Sequence, residues 1–270
     1  MTNSSGGEVT QMPNGAGRDA DVKTSKAPDR KVIHVHTERC GHAFGSDREM
    51  IQACVDIGAK SVTVTDHAPF PGNPFRNRMS YEGLSEYIAA FRELRNEYEG
   101  VIDIHIGLET EYFPKYDSYY RELNGMSELD AGLLLGQHMY YKDGRYSFHM
   151  SGERLDREEF EGLGNAIIEG AGTGYFRAIA HPDRIFRRIK KWDERCTEVS
   201  KGIIDAAYRM EIPIEINIAS MHEGLYYEEF WELAFSRYPD IKTYVGADAH
   251  SVDAILELAD NPVWLEYVRG

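Results

Sequence analysis

Cysteine is scarce in this chain: Cys40, Cys54 and Cys196 are an odd number, and no two stand in C-x-x-C spacing. Scattered thiols of this kind argue against a disulfide framework and fit a reducing, cytoplasmic compartment. Long apolar runs are missing as well. Nothing approaches the roughly 20 consecutive apolar residues of a membrane-spanning helix, and the N-terminal stretch lacks the basic-then-apolar order of a secretory signal. Positive charge is in deficit, with 30 basic against 45 acidic residues and a formal charge of −15. That balance excludes a broad nucleic-acid or anionic-membrane surface. It leaves room for a small phosphorylated substrate, because bound divalent cations reverse the sign locally. Finally, no G-x-G-x-x-G or Walker sequence follows a strand-like run, so an open nucleotide-binding sheet lacks support.

What is present is a regular alternation. The 270 residues suffice for one large α/β barrel or two small domains. Residues 1–30, rich in Gly, Ser, Asn, Asp and Pro, read as a disordered leader, and 31–270 as one folded unit. A first strand opens at Lys31-Val32-Ile33, and apolar or β-branched runs predict others at 61–65, 102–108, 131–136, 176–180, 212–217 and 242–245. Helical spacing falls between them, at 47–57, 81–98, 115–129, 154–169, 194–210 and 227–235. Ser46 or Asp47 suits the start of the first helix and Gly58 its end. Residues 69–80, with three prolines, read as a lid or substrate loop, and 139–150 as a hairpin or a substrate-covering loop. Seven strand–helix units without a linker imply a parallel sheet, most economically a closed barrel of the TIM type.

Histidines gather where such a barrel places its active site. His34, His36, His42, His67, His138, His181 and His250 are seven of the ten, and each stands at a strand's carboxyl end or in the turn after it, together with Glu109 and Asp248. His34 and His36 are two apart and share a face of a strand. His105 alternates with Ile104 and Ile106, which suits a structural histidine rather than a ligand. Imidazoles with two carboxylates suit Zn²⁺, Mn²⁺ or Fe²⁺ rather than the oxygen-seeking Mg²⁺ or Ca²⁺. Nine candidates exceed the three or four ligands of one catalytic zinc, so two or three ions is the natural count.

The pattern H-x-H-T-x-x-C-x-H-A from His34, then T-D-H, G-L-E, G-Q-H, A-H-P-D and A-D-A-H in that order, resembles the polymerase and histidinol phosphatase (PHP) superfamily, and more narrowly its monofunctional histidinol-phosphatase branch. The resemblance covers almost everything after residue 30. It implies a distorted (β/α)7 TIM-like barrel with a trinuclear centre at the carboxyl ends of the strands. Carried over by position, one metal takes His34, His36, Glu109 and Asp248, with Glu109 bridging. The second takes Glu109, His138 and His181, and the third His42, His67 and His250. Val32 departs from the pattern, since the family usually has an acidic residue there, behind the first metal-binding histidine. The orientation of His34 must then come from elsewhere.

The chemistry that follows is phosphomonoester hydrolysis, with a metal-bridging hydroxide attacking phosphorus in line and the cations holding the non-bridging oxygens. Asp248, His250 and Arg184 are the catalytic candidates. Arg184 is the first choice as a phosphate clamp, because guanidinium binds phosphate in bidentate fashion; the competing reading is a salt bridge with Asp183. Arg76 and Arg78 are further candidates for the substrate phosphate, and Glu111, Asn217 or Glu215 for a substrate ammonium, Glu215 otherwise facing a neighbouring strand. Asp248 doubles as a proton donor to the leaving alkoxide. Arg187, Arg188, Lys190 and Lys191 read as a solvated basic face. The resemblance implies L-histidinol phosphate as substrate, in histidine biosynthesis. A protein-tyrosine phosphatase and a small phosphodiesterase or exonuclease are alternatives on the same scaffold. A metal-binding module without turnover is disfavoured by the full set of ligands.

Overall fold

Parallel strands cannot be joined by tight hairpins, so each is reached through a crossover, and closing the sheet removes its two exposed edges. The computed structural model describes residues 30–150 and 153–267, the side chains of 153–157 excepted. The leader expected over 1–30 lies outside the described residues, apart from Arg30. The sheet strands are β1 (Lys31–Val35), β2 (Ser61–Val64), β3 (Asp103–Thr110) and β4 (Gly132–Leu135), followed after a small hairpin, β5 (Tyr141–Lys142) and β6 (Arg145–Tyr146), by β7 (Phe176–Ile179), β8 (Ile214–Asn217) and β9 (Thr243–Gly246). They lie side by side in chain order and every neighbouring pair is parallel. The last strand returns to the first. Ala247 N–H donates to Ile33 O at 2.8 Å, Ala249 N–H to His34 O at 3.1 Å, and His36 N–H to Ala249 O at 2.9 Å. The seam therefore closes through the segments that carry His34, His36 and Asp248.

The crossovers are α1 (Asp47–Asp56), α2 (Leu84–Glu97), α3 (Asp117–Asn124), α4 (Glu153–Ala171), α5 (Glu194–Arg209) and, after a short α6 (Ile218–His222), α7 (Glu228–Arg237). Helix α1 starts in a capping box, Ser46 and Glu49 each satisfying the other's backbone N–H, and buries Met50, Ile51, Ala53 and Cys54 against the sheet. On the inner side of the barrel Leu134, Ala180 and Tyr244 pack with Ile33 and Ala178. The β5–β6 hairpin turns on Asp143-Gly144, both with positive φ (52° and 79°), the conformation a two-residue type I′ turn requires.

Several elements depart from the sequence pattern. Helix α3 stops at Asn124, since Gly125 and Ser127 propagate a helix poorly. Strand β3 runs two residues further than its apolar alternation, because Glu109 and Thr110 pair with Leu134 and Leu135, so Glu109 sits within the strand. Pairing between β7 and β8 is reduced to Ile179 with Ile214, and Pro213, which has no N–H to give, precedes it. Two short C-terminal helices, α8 (Val252–Leu256) and α9 (Pro262–Tyr267), were not anticipated. Helix α9 lays the buried Trp264 over β1, its Nε1–H donating to Lys31 O at 2.8 Å.

Trp264→Ala is expected to cost about 3–5 kcal/mol, read as a shift in the denaturant midpoint. A loss below about 1 kcal/mol would show that α9 is not docked on the barrel.

Candidate metal centre

The strand ends converge on one carboxylate. Glu109 of β3 is almost wholly buried. Its Oε1 lies 3.0 Å from His138 Nε2 and 2.8 Å from His181 Nε2, while its Oε2 lies 3.1 Å from His67 Nδ1, 3.3 Å from His36 Nε2 and 3.4 Å from His34 Nε2. Gly136 makes this possible. A Cβ there would stand 1.8 Å from Glu109 Oε1, so any side chain would displace the carboxylate. Asp248, past β9, faces the same point from the opposite wall, its Oδ1 3.5 Å from Nε2 of both His34 and His36. His42 and His250 lie toward the mouth of the barrel. Donor atoms of His42, His67 and His250 fall within 4.8 Å of one another, as do those of His34, His36 and Asp248, and of His34, Glu109 and His181. Cys40 forms a further such group with His36 and His250.

Backbone strain falls on three of these ligand candidates. His34, His181 and Asp248 have φ of 69°, 28° and 50°, a region that costs a non-glycine residue on the order of 1–2 kcal/mol. The φ of His34 coincides with a break in the β1–β2 register between Ile33 and Val35. His34 and His36 thus reach one point through a bulge, and the regular alternation expected of them does not hold.

Electrostatics sorts the groups into neutral imidazoles and ionised carboxylates. Burial lowers the pKa of His36, His42, His67 and His181, and takes His250 down to about 4. Burial also pushes Glu109 and Asp248 toward the neutral acid. Imidazoles outweigh it in both, His67, His138 and His34 at Glu109, and at Asp248 His34 followed by Arg184, so each carboxyl stays well below its usual range. His34 is the exception among the imidazoles. Burial opposes its charge, and the carboxylates of Glu215, Asp248 and Glu109 together raise its pKa well above the ordinary value. A cavity that draws a proton onto a buried imidazole is one that seats a cation. Neutral imidazole with ionised carboxylate is also the protonation state that binds metal. His34 Nε2, both ring nitrogens of His36, His250 Nε2 and Glu109 Oε2 are buried without a hydrogen-bond partner, as metal-directed atoms would be.

Arg184 reaches in from the turn after His181. Its Nη1 lies 2.9 Å from Asp248 Oδ2, and its Nε donates to Ser220 Oγ at 3.0 Å. The alternative partner, Asp183, is buried and instead accepts from Tyr227 N–H at 2.9 Å and Trp231 Nε1–H at 3.0 Å.

The other substrate candidates are placed differently from the sequence reading. Arg78 and Glu111 neutralise each other in a bidentate pair, 3.0 Å at both contacts, with the guanidinium over the rings of Phe70 and Phe75. Neither offers a free charge to a ligand. Arg76 is exposed on the loop. Asn217 uses its amide internally: Nδ2 donates to Glu215 Oε2 at 2.9 Å, and Oδ1 accepts from Ser220 N–H at 2.7 Å as the cap of α6. Arg187 is not part of a solvated face, whereas Arg188 remains exposed. Both meet the buried Glu159 of α4, and Arg187 also donates to His138 O at 3.1 Å, which ties the His138 turn to that helix. Lys190 and Lys191 are exposed. His105 is half-exposed and pairs with Asp130 at 2.8 Å, outside the centre.

Sequence reasoning left Glu215 open and missed Asp66 and Ser220. Asp66, buried beside His67, accepts from the N–H and the hydroxyl of Thr37 at 2.9 and 3.0 Å, and so fastens the turn after β1 to β2. Its place in T-D-H was the available signal.

The family description "PHP domain" matches residues 33–219. The chain belongs to the PHP domain family. Asp248 and His250 follow the matched stretch and lie beside the same cluster of side chains in space. Among relatives, a Deinococcus radiodurans protein named "Probable histidinol-phosphatase" is 35% identical over 160 residues, 56% of this chain and 59% of its own length. This PHP chain therefore spans under two thirds of that relative. A Bacillus subtilis protein named "Histidinol-phosphatase" is 22% identical over 249 residues, 80% of this chain and 92% of its own length. The crystal structure of a Lactococcus lactis histidinol phosphate phosphatase, solved with zinc, L-histidinol and phosphate, superposes with TM-score 0.64 at 18% identity, covering 86% of this chain and 94% of that one. That likeness establishes a shared barrel fold.

Gly136→Ala is expected to expel Glu109 from its seat. Bound metal per chain, counted by mass spectrometry after gel filtration, should fall by at least one ion, and an unchanged count would refute the placement. Because the φ of Gly136 lies outside the left-handed region, alanine adds no backbone strain there.

Proposed function

We propose that this chain is a metal-dependent phosphomonoesterase acting on L-histidinol phosphate in histidine biosynthesis, and that it works in the cytoplasm. The observation that carries the reading is the convergence of seven imidazoles, Glu109 and Asp248 at one end of a PHP barrel, with Arg184 beside them. The names of both relatives and the ligands of the Lactococcus structure favour histidinol phosphate over other phosphomonoesters. Free, buried cysteines accord with a reducing compartment, and no helix among the described residues is long and apolar enough to cross a membrane.

In this reading His34, His36, His42, His67, Glu109, His138, His181, Asp248 and His250 hold two or three ions of Zn²⁺, Mn²⁺ or Fe²⁺. Such ions acidify water and draw off charge from the phosphoryl oxygens. The chain's own residues do the rest. Arg184 stands where a phosphate held near Asp248 would meet its guanidinium, and Asn217 and Ser220 keep that group turned inward. Asp248 remains ionised and serves as a ligand, since a carboxyl held so far below its usual range is a poor acid. His250, partly exposed at the mouth, turns its Nδ1 to Asp248 O at 3.0 Å, which leaves Nε2 to serve as a ligand.

The test is phosphate release from L-histidinol phosphate by chelator-stripped protein, with Zn²⁺, Mn²⁺ or Fe²⁺ added back and a phosphotyrosyl peptide and a nucleoside monophosphate as comparators. Metal-dependent turnover of histidinol phosphate, exceeding that of both comparators, is expected. A well-metallated protein silent on it but active on either comparator would move the substrate assignment there. His138→Ala and Asp248→Asn should each lower kcat/KM by about 10³-fold or more. Arg184→Lys should lower it roughly 10²-fold while metal content stays unchanged.

A further inference from the structure

We infer that Glu215 is the positioning residue of the centre: it fixes the tautomer of His34 and thereby decides whether the innermost metal position fills. The inference rests on the metal-centre reading above and adds to it a residue with no direct part in binding metal or substrate.

The position of Glu215 is unusual for a core carboxylate. It lies on β8, fully buried, and a Cβ at Gly246 of the neighbouring β9 would stand 1.7 Å from its Oε1, so the fold keeps that space open for it. Its Oε1 is 2.7 Å from His34 Nδ1. An ionised carboxylate only accepts, so His34 keeps a proton on Nδ1, and Nε2, which faces Glu109 and Asp248, is the nitrogen left to bind a metal. The other oxygen accepts from His181 N–H at 2.8 Å and from Asn217 Nδ2 at 2.9 Å, and Asn217 in turn reaches Asp248 Oδ2 at 3.3 Å. One carboxylate therefore stands behind His34, His181 and Asp248, the three ligand candidates held at positive φ. With both oxygens engaged and no exposed surface, it cannot meet a substrate. It also takes up the orienting task that Val32 leaves open.

A purely structural role would favour a neutral group in this place, because burying a carboxylate is costly unless a cation faces it. The cation it would face, through His34, is a metal held at Nε2.

Two variants disturb the same carboxylate by different means. Glu215→Gln keeps the shape but sets an amide N–H₂ against one of three donors. Gly246→Ala keeps Glu215 and pushes its carboxylate off His34. Chelator-stripped wild type and variants would be titrated with Co²⁺ or Zn²⁺ against a chromophoric competitor, with metal counted by mass spectrometry and apo-protein melting recorded in parallel. We expect both variants to bind one ion about 10- to 100-fold more weakly than wild type, with the apo melting temperature of Glu215→Gln unchanged or raised. Affinity within threefold of wild type in both variants would overturn the inference. So would apo proteins that melt far below wild type yet bind every ion normally, for that result makes Glu215 a fold residue alone. If the unaltered chain took up no transition metal, the metal-centre reading itself would fall, and this inference with it.

Discussion

Everything in the molecule defers to the burial of Glu109 among imidazoles. A carboxylate out of water is tolerable only if polar or charged partners surround it, and here five histidines from four strand ends, those of β1, β2, β4 and β7, do so within 3.4 Å. That requirement explains why Gly136 lacks a side chain, why β3 runs on to pair Glu109 with Leu134, and why the turns after β1, β4 and β7 all point inward. The barrel supplies rigidity; the carboxylate dictates where that rigidity is directed.

The same requirement accounts for the placement of strain. Three ligand candidates occupy left-handed backbone, His34 at the irregularity within β1 and His181 and Asp248 just past a strand end, and another group pins each. His34 is pinned through its ring by Glu215, His181 through its N–H by the same residue, and Asp248 through its carboxylate by Arg184. Apolar packing elsewhere offsets these local costs. The helices over the sheet are conventional, with α1 and α5 each starting at a side-chain cap and burying one face. A stable outer layer thus carries an inner ring of conformations that are unfavourable in isolation, a division common to active sites.

Most of the fold was legible because its signals are local. Runs such as Ser61–Val64 and Phe176–Ile179 carry strand chemistry in their own composition, and histidines repeated at their ends carry the site. What escaped was of two kinds. Helices α6, α8 and α9, five or six residues each, are too short to show a helical period. The rest depended on partners distant in sequence. Asn217 and Glu111 look like free polar groups until Ser220 and Arg78 are seen to occupy them. Arg187 looks solvated until Glu159 is found buried beneath it. Glu215 gains its meaning only from a histidine on the far side of the seam. In each case the residue type was plain and its partner was set by tertiary packing.

The closing seam has a consequence for assembly. The first and last barrel strands meet through the backbone of His34, His36 and Ala249, so the segment that shuts the cylinder is the segment that carries Asp248 and His250. Such end-to-end pairing joins residues far apart in sequence, a slow kind of contact to form. The earlier strands can gather their histidines around Glu109, but the opposite wall arrives only when the final strand docks. Full metal loading is therefore a property of the finished cylinder, and ion uptake would serve as a clock for the last step of folding.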